Sequence, residues 1–289
     1  MKRDYKMNDK KYELTDEVKT LADGTVLHRI RAVRNLILVN GTEVHAGDLG
    51  GWIEKECNLS QCGEAWVGDD AQVFSEARVY EDANVCEEAL VSGNAQVFGK
   101  SRIFNKAHVH GKACVCGNAC VYGDACVYGE SRVFGETEVY GEAEVYGKAW
   151  VSGNARVYGE ACVYGDACVY DEAQVSDKAR VFNKAWIFGK SHICGDALVY
   201  GKAKIYGNAQ VKSLYDYAIF KDSWSSGRWF TYTRSNKMWA DGCFYGTGEE
   251  LISKAYKDNP LSGRCYEAVV RLQETIEDVK TTTNKEETK

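Results

Sequence analysis

From Val67 to Val211 a β-branched aliphatic residue falls at every sixth position, giving 25 consecutive hexads without a slip. Two residues before each stands Ala, replaced by Ser101, Ser131, Thr137 or Ser191 in four hexads. A short fixed period of this kind specifies a solenoid, and no globular core accommodates it. In a unit such as Ala161-Cys162-Val163-Tyr164-Gly165-Asp166, alternation sends Ala161 and Val163 to one side and Cys162 and Tyr164 to the other. The residue after the aromatic position is Gly in 16 of 25 hexads and Asn or Asp in five more (Asp69, Asn105, Asp171, Asp177, Asn183). These residues tolerate positive φ, so each hexad reads as a short strand and a sharp corner. Three corners close a triangle of 18 residues. The expected fold is an all-β solenoid, a parallel β-helix of about eight coils and on the order of 40 Å long.

The flanks read as caps, because a coil stacked on nothing leaves its ladder groups unpaired. Residues 1–61 read as a β-rich N-terminal cap. A strand-like stretch (24–44) leads to a turn at Gly50 and Gly51, and Trp52 and Ile53 seal the first coil. The β-helix is assigned to 62–212 and an α+β C-terminal domain to 213–280. That domain has strands near 228–233 and 242–245, a helix over 248–257 capped by Thr247, and a second helix over 261–280. Tyr266, Val269, Val270, Leu272 and Ile276 form the apolar face of the second helix. The tail 281–289, TTTNKEETK, reads as disordered.

Net charge is -6, which argues against nucleic acid or an anionic membrane surface as partner. The basic start has no apolar run after it, so no signal peptide is read, and no stretch is long and apolar enough to span a membrane. The 12 cysteines sit mostly at repeat positions that other residues also fill. They read as free thiols of a cytoplasmic protein.

Two outward positions remain per hexad. The one after the aliphatic residue is Tyr or Phe in 16 hexads. Neighbours 18 apart stack Phe104, Tyr122, Tyr140 and Tyr158 on one face and Tyr128, Tyr146, Tyr164, Phe182 and Tyr200 on another. A third face carries Phe134, Tyr170, Phe188 and Tyr206. Such ladders stabilise adjacent strands, and exposed aromatic surface also marks interfaces. Arg102, Glu138 and Arg156 share a face with Tyr122, Tyr140 and Tyr158, where arginine beside stacked rings suits an anionic ligand. In the tail, Arg228, Trp229 and Trp239 form the most chemically varied cluster, with a packed cap as its plainer reading. His108 and His110 flank Val109 on one side, but two ligands do not make a metal site. No metal or cofactor is expected.

The hexads resemble the hexapeptide-repeat proteins, left-handed β-helices whose best-known members are trimeric acyltransferases. The handedness is what this resemblance implies. The segment from Gly47 to Val73 and the tail from Asp216 to Tyr256 narrow the likeness to YdcK-type β-helix proteins of bacteria and prophages, often labelled putative transferases. Acyltransferases of this kind use a histidine at a subunit boundary and an extruded loop. Here His108, His110 and His192 are the coil histidines that could be recruited, and no loop breaks the 25 hexads. The expected function is therefore a non-enzymatic scaffold or binding protein, phage or prophage encoded. It would hold a protein partner or a small anionic molecule through its aromatic and arginine-lined faces, with an anti-defence role in view. The alternative is a transferase using an acyl-CoA or nucleotide-sugar donor between subunits of a homotrimer. A rod capped at both ends can also stand as a monomer.

Overall fold

The computed structural model describes residues 10–286, with side chains to 279. Every hexad from Trp66–Val67 to Gln210–Val211 forms a two-residue strand, and each up to His192–Ile193 pairs in parallel with the strand 18 residues on. Val127, Val145 and Val163 lie in one internal column, and the aliphatic and alanine positions of the coils are buried. Each fully buried aliphatic side chain contributes about 1.5–3 kcal/mol gross. The four hydroxyl residues in this core satisfy themselves locally. Ser101, Ser131, Thr137 and Ser191 donate to carbonyls three residues back, at 2.8–3.3 Å.

Nine coils are present, one more than the hexad count gave. The extra coil comes from the segment read as cap. Ile53 pairs with Val73, and Leu59 bridges to Val79, 20 residues apart rather than 18. Two additional residues before Trp66 break the period and hide this coil from a search for it. Gly50 and Gly51 do not turn the chain. They lie inside the strand Leu49–Ile53, where a Cβ on Gly50 would sit 2.6 Å from the Val67 carbonyl oxygen and one on Gly51 2.6 Å from that of Ala71. Close backbone approach is the reason for glycine here. A hairpin of Tyr12–Thr20 and Val26–Ala32 pairs antiparallel onto this strand and extends the sheet past the end of the rod.

The corners explain the residues that are not glycine. Asp69, Asn105, Asp171, Asp177 and Asn183 all have positive φ, and so do Ser75, Glu81 and Glu87 at 57°, 60° and 61°. For a serine or glutamate this backbone costs about 1–2 kcal/mol. At several corners a side chain offsets it by accepting the corner amide of the next coil: Glu81 from Gly99 at 2.9 Å, Glu87 from Asn105 at 3.0 Å, and Asp177 from Gly195 at 2.8 Å.

Outside the two-residue strands, the amides of each coil donate to the carbonyls of the next, while each strand returns a bond through its parallel pairing. At the corner and flanking positions the rod therefore needs donors for carbonyls at its start and acceptors for amides at its finish. At the start, Lys11 Nζ donates to the Ala65 carbonyl at 2.5 Å and the Tyr12 hydroxyl to that of Leu59 at 2.7 Å. At the finish, the Lys204, Gln210 and Lys212 amides donate to Thr231 Oγ1, Ser235 Oγ and Asp216 Oδ2 at 2.7–3.0 Å. These acceptors belong to a C-terminal unit of four antiparallel strands, Tyr217–Lys221, Trp229–Thr233, Met238–Asp241 and Phe244–Gly246. Two helices complete it, Gly248–Asp258 with a Thr247–Glu250 capping box and Pro260–Glu286. The second helix continues past Lys280, where the sequence reading ended it, through Thr281, Thr282, Thr283 and Asn284; these are weak helix formers, but adding residues to a helix already nucleated costs little. The rest of the expected disordered tail, 287–289, lies outside the described residues. The inward face of the second helix is Tyr266, Val270 and Gln273, while Leu272 and Ile276, both assigned to that face from the sequence, are exposed. Leu272 stands about 100° from Gln273 around the axis, which turns it to solvent. Among the described residues no helix is long and apolar enough to cross a membrane.

Candidate functional site

The rod presents three faces, numbered here in chain order from Ile53, Leu59 and Val67. The first face carries an unbroken ladder, His110–Tyr128–Tyr146–Tyr164–Phe182–Tyr200, with ring centroids 4.8–5.4 Å apart. The third carries Phe104–Tyr122–Tyr140–Tyr158 at 4.8–5.0 Å. These spacings are those of adjacent strands, so the backbone itself sets the stacking. The ladders also use up much of the polar surface expected to bind. The Tyr128 hydroxyl donates to Glu144 at 3.0 Å. Arg156 pairs with Glu138 at 3.0 Å, and Arg102 lies 5.1 Å over the Phe104 ring.

His110 is stacked on Tyr128, and burial, then His108, hold its pKa down. His192 Nε2 lies 3.0 Å from the Ser176 hydroxyl, but Ser176 is 2 % exposed and no substrate reaches it there. Among the described residues no three His, Cys, Asp or Glu side chains gather around a metal position. Every coil cysteine whose ionisation shifts is pushed up by burial, Cys86 and Cys116 to about 11. A raised thiol pKa makes a poor nucleophile at neutral pH.

Of the tail cluster, Trp239 is 2 % exposed and packs in the core of the C-terminal unit with Phe230 and Val270. Trp229 is half-buried beneath Lys202 and Lys221. Arg228 is exposed at a cleft of ≈ 390 Å³ shared with Asp241, Lys254 and Tyr266. The three residues picked from the sequence therefore do not form one site.

The second face differs from the others. Trp150 and Trp186 are 45 % and 41 % exposed and stand outside the stacked ladders, although Tyr200 at the end of the first-face ladder is as exposed, at 43 %. They share one row, with Cys168 between them. Two strand spacings separate them, about 10 Å. Each carries a cation on its ring, Arg132 at 5.2 Å for Trp150 and Lys204 at 5.2 Å for Trp186. Each also meets an edge of the neighbouring aromatic row, Phe134 or Tyr170, at 77–80°. The outward positions of this face hold Arg78, Arg132 and Lys204 and no carboxylate, whereas the opposite edge, between the third and first faces, holds nine carboxylates and two lysines. The sequence reading named neither tryptophan as a site residue. The signal was present: both stand in the row before the aliphatic residue, where small neighbours such as Cys168 leave a large ring uncovered.

The raised thiols and phenols predict an alkaline limit. Tyr217 and Tyr232 are pushed to about 12, chiefly by burial, and Cys86 and Cys116 to about 11. An acid whose pKa is higher folded than unfolded contributes stability that is complete below its unfolded pKa and lost as pH rises through the folded one. The loss runs from about pH 9 to about pH 12. Lys11, lowered by burial from 10.5 to about 8, opposes it as a single group between those values. The melting temperature should fall steadily above about pH 9, with phenolate absorbance rising in the same step as unfolding. Tyrosines that titrate at their ordinary pH without loss of structure would contradict the burial assigned to them.

No protein-family model matches the chain, and no curated protein matches it.

Proposed function

We propose that the chain is a non-enzymatic binding rod, a phage- or prophage-encoded protein of the YdcK type working in the bacterial cytoplasm. It holds a protein partner or a small anionic molecule on an outward face. The observation that carries this reading is the second face, where two tryptophans of one row stay partly uncovered, each beside a cation. Exposed aromatic side chains beside arginine are the usual anchors of an interface. The stacked histidine, the buried Ser176 and the raised thiols give the transferase alternative less support. Native mass spectrometry of the protein purified from its own host reports subunit number and retained molecules together, and a retained partner or anion is the expected result. Turnover of acyl-CoA that disappears in a His108→Ala/His110→Ala variant would overturn the reading in favour of acyl transfer.

A further inference from the structure

The aromatic ladder of the third face begins at Phe104. In the two coils before it the same position holds Gly68 and Cys86, so no ring fills the space there. The short hairpin of Leu36–Ile37 and Glu43–Val44 lies against this end of the face, and together they enclose a cavity of ≈ 480 Å³. That volume is within the range of small-molecule sites. Leu38, Val44 and Trp66, each more than nine-tenths buried, form its apolar wall. Asn84 stands in register with Trp66 and also lines it. Asn84 is 3 % exposed, and its Oδ1 meets no hydrogen-bond donor among the described residues. The next residue along the row, Arg102, lies over the Phe104 ring instead. A buried acceptor without a donor is rare in a folded chain. The terminal torsion of asparagine is soft, so a modest turn presents this oxygen to the cavity. At the rim stand Asp48 and the exposed corner residues Asp69 and Glu87. Asp48 faces His45 at 3.7 Å. Asp69 and Glu87 each spend one oxygen on a corner amide of the next coil, both at 3.0 Å, and pair with no cation among the described residues. Arg29 and Arg34, the arginines at this end, pair with Asp70 and Glu64. No lysine or arginine lines the cavity.

We propose that this cavity binds a small organic ammonium ion, with its apolar body against Leu38, Val44 and Trp66, one N–H donated to Asn84 Oδ1 and its charge held by Asp69 and Glu87. The unpartnered acceptor selects a donor, the carboxylates select a cation and reject an anion, and the apolar wall selects a body larger than ammonia. A bare metal ion is disfavoured, because no three ligating side chains gather here among the described residues. The site lies on a different face from Trp150 and Trp186, and either can fail without the other.

The probe is phenethylammonium chloride, titrated into the full chain and followed by isothermal calorimetry. Saturable one-to-one binding that weakens with added salt is expected. 2-Phenylethanol, similar in shape without the charge, should bind about tenfold more weakly or worse, and phenylacetate should not bind. Asn84→Leu removes the acceptor at nearly constant volume. It should weaken the amine about tenfold without lowering the melting temperature, because an unpartnered oxygen leaves the interior with it. Asp69→Asn/Glu87→Gln keeps an oxygen for each corner amide and should weaken the amine by a similar factor and remove its salt dependence. Lys148→Ala, exposed on a distant coil, should change nothing. Equal binding by wild type and Asn84→Leu overturns the site, and a lowered melting temperature in that variant would then mark the amide as structural. No saturable binding of the amine, or phenylacetate bound as tightly, overturns the ligand chemistry. Should Asn84→Leu fail to fold, the ligand series on the wild type and the carboxylate variant still decide.

Discussion

Val145→Asp is expected to unfold the middle of the rod. Val145 is fully buried and stacked between Val127 and Val163 in a column of aliphatic side chains. A carboxylate there meets hydrocarbon above and below, and the ladder has used the nearby backbone amides. An unpaired charge in that setting costs about 5 kcal/mol or more, a large share of the stability of any single chain. The neighbouring position already contains the control. Glu144 carries a carboxylate one residue earlier, faces outward and accepts the Tyr128 hydroxyl at 3.0 Å. The same charge is harmless on one side of the strand and ruinous on the other. Gln174→Asp, also outward and paired in register with Arg156, should shift stability by about 0.5 kcal/mol or less. Circular dichroism melts of the two variants decide the matter. A native-like melt for Val145→Asp would mean that the valine column is not the core.

The same asymmetry explains what could be read from the chain and what could not. Inside the triangle every coil faces the same narrow space, so Val, Ile and Ala recur with the period of the backbone and the architecture is visible in the residues. The corners are visible where glycine, asparagine or aspartate marks a positive φ. They are invisible at Ser75, Glu81 and Glu87, where the same backbone is held without a residue type that announces it. The first coil was missed because two extra residues before Trp66 break the count, although Ile53 and Leu59 sit in the ladders like any later rung. Outside, the rule that fixes the core fixes nothing. Tyr122, Tyr140 and Tyr158 stood out as a binding row, yet their spacing equals that of the strands and they serve chiefly one another. Trp150 and Trp186 did not stand out, because their exposure depends on the size of residues 18 positions away, which only the folded register brings alongside.

Tyr12→Ala is expected to loosen the rod from its N-terminal end. Tyr12 is fully buried, the largest such side chain among the described residues, and its hydroxyl donates to the Leu59 carbonyl at 2.7 Å and to that of Glu56 at 3.1 Å. Leu59 belongs to the first coil, where no earlier strand supplies an amide. Lys11 does the same for Ala65, and Gln61 binds the backbone of both residues in return through Oε1 and Nε2. Removing the ring costs about 3–5 kcal/mol, as for other large buried aromatics. Tyr12→Phe keeps the packing and leaves the Leu59 carbonyl without its donor, a smaller loss of about 1–3 kcal/mol. Because each coil touches only its neighbours, the damage stays local at first. Hydrogen exchange should speed up in the coils nearest residue 60 while those beyond Val145 keep their protection. An opened end is also a template for edge pairing, so Tyr12→Ala should form higher-order species on concentration that Tyr12→Phe does not. Unchanged exchange at the first coils in both variants would show that the hairpin is an appendage and that the rod needs no cap.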